Sequence, residues 1–170
     1  KNLRSLNVYG NRLTSLQGIE SAVNLEDIFL YDNQLTSLKG IENLTKLKKL
    51  EVGKNRLKNL KGIEKLTNLE ELGVSENRLT DIKEIKNLKK LERIYAFCNK
   101  IKTLPNLKQF SKLKYVFCDF SDNLLSFPAA LFSLSWKKYF PSLVEKSYGI
   151  PPDQPASEHS PQLHTAMLLL

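Results

Sequence analysis

The sequence is poor in the residues from which most catalytic and metal-binding sites are built. It holds two cysteines and two histidines in 170 residues, and both histidines, His159 and His164, lie in a proline-containing stretch near the C-terminal end. Two cysteines supply neither a disulfide framework nor a zinc-ligand spacing. No Ser-His-Asp, Cys-His or glycine-rich phosphate-loop arrangement occurs elsewhere in the chain. The residues therefore predict no enzyme, no bound metal and no cofactor.

Long hydrophobic runs are also missing. The apolar end of the chain, 166–170, is far shorter than the roughly 18 residues that suggest a membrane-spanning helix, so no membrane span is predicted. Scarce cysteine slightly favours a reducing, cytoplasmic compartment, although secreted proteins can lack disulfides too. The formal net charge is +8, and the whole excess of Lys and Arg over Asp and Glu lies in residues 1–126.

What the sequence has in place of these features is a recurring phrase of aliphatic residues and asparagine. It is clearest at Leu47-x-x-Leu50-x-Val52-x-x-Asn55-x-Leu57. Its asparagine recurs at a constant interval, with one longer last step, at Asn11, Asn33, Asn55, Asn77, Asn99 and Asn123. Internal repeats of this length, with periods of about 20 to 29 residues, are typical of solenoids.

Each repeat combines two hydrophobic periods. Alternation over 28–31 predicts a short strand, and a spacing of three through Leu35, Leu38, Ile41 and Leu44 suits 3₁₀ turns. Together they predict an α/β solenoid with a curved parallel β-sheet on its concave face and 3₁₀ or short helical turns on its convex face. The units are 3–24, 25–46, 47–68, 69–90 and 91–114, and an irregular sixth begins near Tyr115. Because its last asparagine interval is two residues longer, we expect the sixth unit to bulge or shift.

Composition divides the chain into three segments. Residues 1–128 hold about six repeats, 129–149 a helical C-terminal cap, and 150–170 a Pro-rich flexible tail. A solenoid needs capped ends, and the chain opens inside a repeat, so we expect further sequence before Lys1. In repeat register Cys98 lies at the rim after a strand and Cys118 points inward, which predicts two free thiols.

The recurring asparagine has a structural explanation. After each strand the chain turns inward, and backbone donors and acceptors in that bend need partners. A side-chain amide supplies both a donor and an acceptor. We therefore predict that the six asparagines form a structural ladder of hydrogen bonds to their own and the adjacent unit.

The outward residues of the strands vary from unit to unit and are the candidate binding positions. They include five aromatic residues in two groups, separated by Gly53, Gly73 and Ser75, and about three strand spacings, or roughly 14 Å, apart. Exposed aromatics flanked by charge are typical of binding hot spots. The predicted partner-binding residues are Tyr9, Phe29, Tyr31, Asp32, Glu51, Arg93, Tyr95 and Phe97. Alternatively, the aromatics stack along the sheet and only favour strand formation.

A second column follows the asparagines and is mostly cationic: Arg12, Gln34, Arg56, Arg78 and Lys100. Such a row could follow a phosphate backbone or an anionic surface. The column recurs simply because the repeat recurs, and glutamates are interleaved elsewhere. A solvated face is therefore the preferred interpretation, and nucleic acid binding is not expected.

The phrase Leu-x-x-Leu-x-Leu-x-x-Asn-x-Leu, followed by Gly-Ile-Glu-x-Leu-Thr-x-Leu, resembles the leucine-rich repeats, of this same length, of bacterial internalins and of the regulatory subunit of protein phosphatase 1. The resemblance covers residues 3 to about 128. It implies a scaffold that binds another protein on its concave face, and we expect that scaffold to be non-catalytic and monomeric. The aromatic-rich strands look more like those of internalins, whose immunoglobulin-like cap is not recognisable in 129–170. A bacterial secreted or surface location therefore stays open, as does a role as targeting arm of a larger enzyme.

Overall fold

A computed structural model of the chain describes residues 2–119 and 165–169. Its single sheet has the strand order β1 to β7. The strands are β1 (Ser5–Asn7), β2 (Asp27–Phe29), β3 (Lys49–Glu51), β4 (Glu71–Gly73), β5 (Arg93–Tyr95), β6 (Tyr115–Asp119) and β7 (Thr165–Leu169). Short 3₁₀ helices span Ile19–Ser21, Lys83–Asn87 and Leu107–Gln109. The predicted parallel solenoid of strands and 3₁₀ turns is confirmed.

The first six strands pair in parallel with a constant offset of one repeat. Ile28 pairs with Leu50, Leu50 with Leu72, and Leu72 with Ile94. Backbone bonds before and after each short strand extend the pairing, as in Leu30 N to Glu51 O at 2.7 Å. Side chains in equivalent repeat positions therefore lie in straight columns across the sheet.

The core consists of the aliphatic positions of the recurring phrase. In the second unit every such side chain is at most 1% exposed: Leu25, Ile28, Leu30, Leu35, Leu38, Ile41 and Leu44. Each buried side chain of this size contributes roughly 1.5–3 kcal/mol of transfer free energy. Because one unit's leucines are covered by those of its neighbours, this stabilisation requires stacking.

The predicted boundary of the sixth unit was wrong. Tyr115 pairs with Arg93 and Val116 with Ile94, the same offset that relates all the earlier strands, and Leu113 is buried as Leu91 is. The fifth unit is therefore 91–112, and the start of the sixth does not shift. Parallel pairing holds the register of β6 through Phe117, so the two extra residues before Asn123 come later in the chain.

The residue before each ladder asparagine in the described units adopts a left-handed backbone. Its φ is 59° at Asp32, 49° at Lys54, 54° at Glu76 and 50° at Cys98. Left-handed conformations are uncommon outside glycine, and their recurrence at one repeat position marks the bend that directs the chain back into the core. Gly10 occupies this position in the first unit, with a φ of 66°.

The buried asparagine amides bond this bend to the neighbouring unit. Asn55 Nδ2 donates to Leu30 O at 2.9 Å, Val52 O at 3.1 Å and Gly53 O at 3.0 Å, while its Oδ1 accepts from Leu35 N at 2.9 Å. Three other asparagines make the equivalent bonds to the preceding unit: Asn33, Asn77 and Asn99.

The two ends of the predicted ladder differ from its middle. Asn11 is exposed and donates within its own unit only, to Val8 O and Tyr9 O. Asn123 lies outside the described residues. The full ladder interaction therefore needs a unit on the N-terminal side.

The last residues of the segment predicted to be a flexible tail form a strand. Residues Thr165–Leu169 form β7, which pairs antiparallel with β6 and joins Met167 to Phe117 in register. Their apolar composition suits a strand, and the edge of β6 offers unpaired backbone groups to such a segment. The predicted cap at 129–149 and the rest of the tail lie outside the described residues.

Cys98 and Cys118 are not joined in a disulfide, as predicted, and Cys98 is half-buried while Cys118 is buried. Within residues 2–119 and 165–169, no helix has the length and apolar character needed to cross a membrane.

Removing one buried ladder amide is expected to destabilise the array strongly. Asn55→Ala leaves Leu35 N and three carbonyl groups without their amide partner, and each buried unpaired group costs about 1–3 kcal/mol. We expect a loss of at least about 2 kcal/mol in the free energy of unfolding, measured by urea denaturation. Asn11→Ala is the matched control and should cost less than about 1 kcal/mol, since Asn11 and its hydrogen bonds are exposed. Equal losses in the two variants would contradict this role for the ladder.

Candidate functional site

The outward side chains of β1 to β6, with those of the residues just after each strand, form a surface that we call the strand-lined face. One column runs through Asn7, Phe29, Glu51, Gly73, Tyr95 and Phe117, which are paired in register. The next column runs through Tyr9, Tyr31, Gly53, Ser75 and Phe97. The predicted partner-binding residues all belong to this face.

The N-terminal aromatic group is built on Tyr9 and Tyr31. Their rings stack with centroids 5.4 Å apart and planes 5° from parallel. Tyr9 is 59% exposed, whereas Tyr31 is half-buried. Phe29, also half-buried, lies beside Glu51 in strand register. This group therefore presents aromatic surface to solvent over the first two units.

Tyr31 does not project freely into solvent but lies across the third unit. Its hydroxyl donates to Glu76 Oε1 at 2.6 Å, and a Cβ on Gly53 would lie 2.7 Å from Tyr31 Cδ2. The hydrogen bond to Glu76, followed by burial, raises the pKa of the Tyr31 phenol well above its ordinary value. The missing side chain of Gly53 thus makes room for the Tyr31 ring.

Glu51 lies across the fourth unit in the same way. A Cβ on Gly73 would overlap with the Glu51 carboxylate, and Glu51 Oε1 accepts a hydrogen bond from Gly53 N at 2.8 Å. Burial raises the pKa of Glu51, the Gly53 amide opposes that rise, and the negative charge of Glu71 adds to it. In the sequence, small residues separate the two aromatic groups. In the structure, the Tyr31 ring and the Glu51 carboxylate occupy the space over Gly53 and Gly73.

The C-terminal aromatic group is larger than predicted. Phe117 stacks on Tyr95 at 4.9 Å and also contacts Phe97 at 6.0 Å and Tyr115 at 6.1 Å. Tyr115 and Phe117 were missed as candidates because the sixth unit was expected to shift. The step of one full repeat from Tyr95 to Phe117 was the signal that could have found them. Stacking along the sheet occurs in both groups, so the aromatics support the strands as well as line the face.

Two of the three charged candidates are paired within the chain. Arg93 Nη1 lies 3.2 Å from Glu71 Oε2, and Lys54 Nζ lies 3.0 Å from Asp32 Oδ2. Partly exposed pairs of this kind contribute only about 0–1 kcal/mol. A binding partner could therefore replace them at little cost.

The two edges of the sheet differ in how their charges are arranged. Along the edge where the strands begin, Glu26 is bonded to both Arg4 and Lys48, at 3.0 and 2.6 Å, and Glu92 to Lys114 at 2.8 Å. Along the asparagine edge, Arg12, Arg56, Arg78 and Lys100 are exposed, and none of them belongs to an ion pair in the described part of the chain. Over that same part, no cluster of three or more His, Cys, Asp or Glu could hold a metal ion.

The raised pKa of Glu51 predicts how its substitution changes stability with pH. The pKa of this carboxyl is higher in the folded protein than its unfolded value of 4.5. As pH rises from the unfolded pKa through the folded one, the unfolded chain gives up its proton more readily, so the folded protein loses stability. Glu51→Gln removes this loss and keeps an acceptor for Gly53 N. Relative to wild type, the variant should gain unfolding free energy between pH 4 and pH 7, measured by urea denaturation. A difference between the two proteins that does not change with pH would contradict the burial of this carboxylate.

Sequence and structure comparisons agree on the family. A family model described as Leucine Rich repeats (2 copies) matches residues 1–43, 23–65, 45–87 and 67–109. A search of curated proteins found no match. Among solved structures, an internalin from Listeria monocytogenes is similar with a TM-score of 0.70 and 29% identity, over 76% of this chain and 38% of that one.

Two further structures widen the range of relatives. A leucine-rich repeat protein from Leptospira interrogans has a TM-score of 0.64 and 33% identity, over 74% of this chain and 33% of that one. The leucine-rich repeat ectodomain of the receptor kinase SOBIR1 from Arabidopsis thaliana has a TM-score of 0.60 and 27% identity, over 71% of each chain. This chain thus spans only about a third of the length of the two bacterial proteins. With the asparagine ladder and the parallel sheet, these matches show that the chain belongs to the leucine-rich repeat family.

Proposed function

We propose that this chain is a non-catalytic, monomeric scaffold that binds a partner protein on its strand-lined face. The observation that carries the proposal is the pair of aromatic groups on that face, around Tyr31 and around Phe117. Leucine-rich repeat arrays are typically protein-binding modules. Aromatic residues are also enriched among the side chains that dominate protein interfaces.

The arrangement of the two groups supports binding over a purely structural role. The aromatic side chains are only partly buried, and Tyr9 is mostly exposed. Strand formation needs neither an exposed Tyr9 nor a four-ring cluster around Phe117. Rings that are already ordered by stacking lose little conformational entropy when a partner covers them. The face is thus preorganised for a partner that contacts several strands together.

A second candidate function is association with nucleic acid or another anionic surface through the asparagine edge. The exposed row of Arg12, Arg56, Arg78 and Lys100 favours it. Binding of that kind depends steeply on salt concentration, because phosphate contacts release counterions. We rank it second because Gln34 interrupts the row, and because no aromatic residue occupies this column in the described units to offer a base a stacking surface.

A third candidate is that the array serves as the recognition part of a larger protein. One of the similar structures is the ectodomain of a receptor kinase, in which repeats belong to a protein with an enzymatic part. The strand-lined face would then recruit the substrate or the regulator of that part. Binding through the face is shared by the first and third candidates.

Removing one aromatic side chain from each of the two groups should abolish most partner binding. We expect Phe29→Ala/Tyr95→Ala to weaken capture of a partner from an extract of the source organism by about 30-fold or more, since the loss of even one hot-spot residue costs about 2 kcal/mol. Capture on the immobilised chain is quantified by mass spectrometry, and the affinity of each captured protein by titration. The folding of each variant is checked by circular dichroism.

Arg56→Ala/Arg78→Ala is the matched control, with two exposed side chains removed from neighbouring units outside the face. Capture that survives the aromatic variant but is lost with the arginine variant, and falls steeply between about 50 and 200 mM salt, would replace the first candidate with the second. Equal capture by wild type and both variants would contradict both.

A further inference from the structure

The strand-lined face has the opposite charge balance to the chain as a whole. In the units of β1 to β5, its columns carry five acidic side chains and three basic ones, a local balance of minus two in a chain of +8. The acidic residues are Asp27, Asp32, Glu51, Glu71 and Glu76, and the basic ones are Lys49, Lys54 and Arg93. An anionic partner would meet more cations elsewhere on this chain than here.

Two of these carboxylates have only neutral hydrogen-bond donors. Lys54 is paired with Asp32 and Arg93 with Glu71, and Lys49 lies beside Asp27 in strand register. Glu51 accepts from the Gly53 amide, and Glu76 from the Tyr31 hydroxyl. Neither forms an ion pair with a cation in the described residues. We call these two residues the acidic centre.

Of the acidic centre, Glu51 lies between the two aromatic groups, and Glu76 is bonded to the Tyr31 hydroxyl of the N-terminal one. Glu51 follows Phe29 in its column and precedes Gly73 and Tyr95. Its carboxylate extends over Gly73, towards the Tyr95 side of the face. Burial raises the pKa of the Tyr95 phenol, the charge of Glu71 adds to the rise, that of Arg93 opposes it and that of Glu51 adds to it again. Tyr95, Glu71 and Glu51 therefore lie within electrostatic reach of one another. A cation here would meet a carboxylate and an aromatic ring together.

The distances across the face fit an extended segment of a partner. Phe29 and Tyr95 lie on strands three steps apart, which is roughly 14 Å. In an extended chain, residues i and i+4 are about 13 Å apart, and residues i, i+2 and i+4 point to the same side. Anchors at i and i+4 would thus reach the two aromatic groups, and the side chain at i+2 would reach the acidic centre.

On these grounds, and resting on the proposed function, we infer that the strand-lined face selects a partner segment with the pattern apolar-x-basic-x-apolar. The segment crosses the strands, its apolar side chains pack on the two aromatic groups, and its Arg or Lys binds between Glu51 and Glu76. Gly53 and Gly73 contribute to binding of the basic side chain indirectly. Because they have no side chains, Tyr31 and Glu51 can lie flat beneath the incoming Arg or Lys.

Three capped peptides test the inference by nuclear magnetic resonance titration of the isotopically labelled chain. The probe is Trp-Gly-Arg-Gly-Trp, and its middle residue is replaced by citrulline, which has nearly the shape of Arg without the charge, or by Glu. We expect the Arg peptide to shift amide signals of β2 to β5. Its affinity should exceed that of the citrulline peptide about threefold to fivefold at low salt, with the Glu peptide weakest. The preference should shrink as added salt screens it.

Glu51→Gln should remove most of the Arg preference while leaving the contact with the Trp anchors. Glu42→Gln is the matched control: Glu42 Oε2 accepts from Gly40 N at 2.8 Å, a bond like that of Glu51, but in a turn outside the strands and their columns. That variant should bind all three peptides as wild type does. Should Glu51→Gln fail to fold, Glu76→Gln replaces it.

The outcomes separate this inference from the function on which it rests. Equal affinity for the Arg and citrulline peptides, or an Arg preference that survives in Glu51→Gln, overturns the basic pattern. If all three peptides bind equally and Phe29→Ala/Tyr95→Ala abolishes that binding, the aromatic face remains a binding surface without charge selection. If no peptide at millimolar concentration shifts the amide signals of the strand-lined face, and Phe29→Ala/Tyr95→Ala also leaves partner capture unchanged, then both the proposed function and this inference fail.

Discussion

The inward bend after each strand is the constraint on which the rest of this structure depends. It places backbone amides and carbonyls in the protein interior, where an unpaired polar group is costly. One buried asparagine per unit satisfies them, and in doing so it bonds its own unit to the one before, as Asn55 does with Leu30 and Leu35. The same bond that closes a turn therefore also sets the spacing between units.

A constant spacing between units has consequences for the exposed surface. Because the strands pair with an unbroken offset, side chains from equivalent positions become neighbours although a full repeat separates them along the chain. Tyr31 and Glu51 exploit this arrangement by lying across the glycines of the next unit. Substitutions at a few column positions can thus reshape the face without disturbing the buried aliphatic positions, whose side chains point the other way.

The aromatic residues show how a side chain can have a structural and a binding role together. Tyr95 stacks on Phe117, which stabilises adjacent strands, and the same pair keeps part of its ring surface exposed. The charged residues behave differently. Arg93 and Asp32 were predicted to contact a binding partner, but each already forms an ion pair within the chain. The carboxylates that remain without a cation among the described residues, Glu51 and Glu76, are consequently the more informative positions for specificity.

The sequence by itself determined the repeat length, the strands, the buried positions and the outward columns, because these follow from the periodicity of aliphatic side chains and from asparagine. It also located the aromatic residues of the first five units. Only the tertiary structure decided the register of β6, the pairing of β7 with β6, and the contacts of Tyr31 with Glu76 and of Glu51 above Gly73. Periodicity describes each unit alone, whereas these contacts join residues from different units. Such contacts depend on backbone hydrogen bonds between strands and on the space that a glycine in the next unit leaves open.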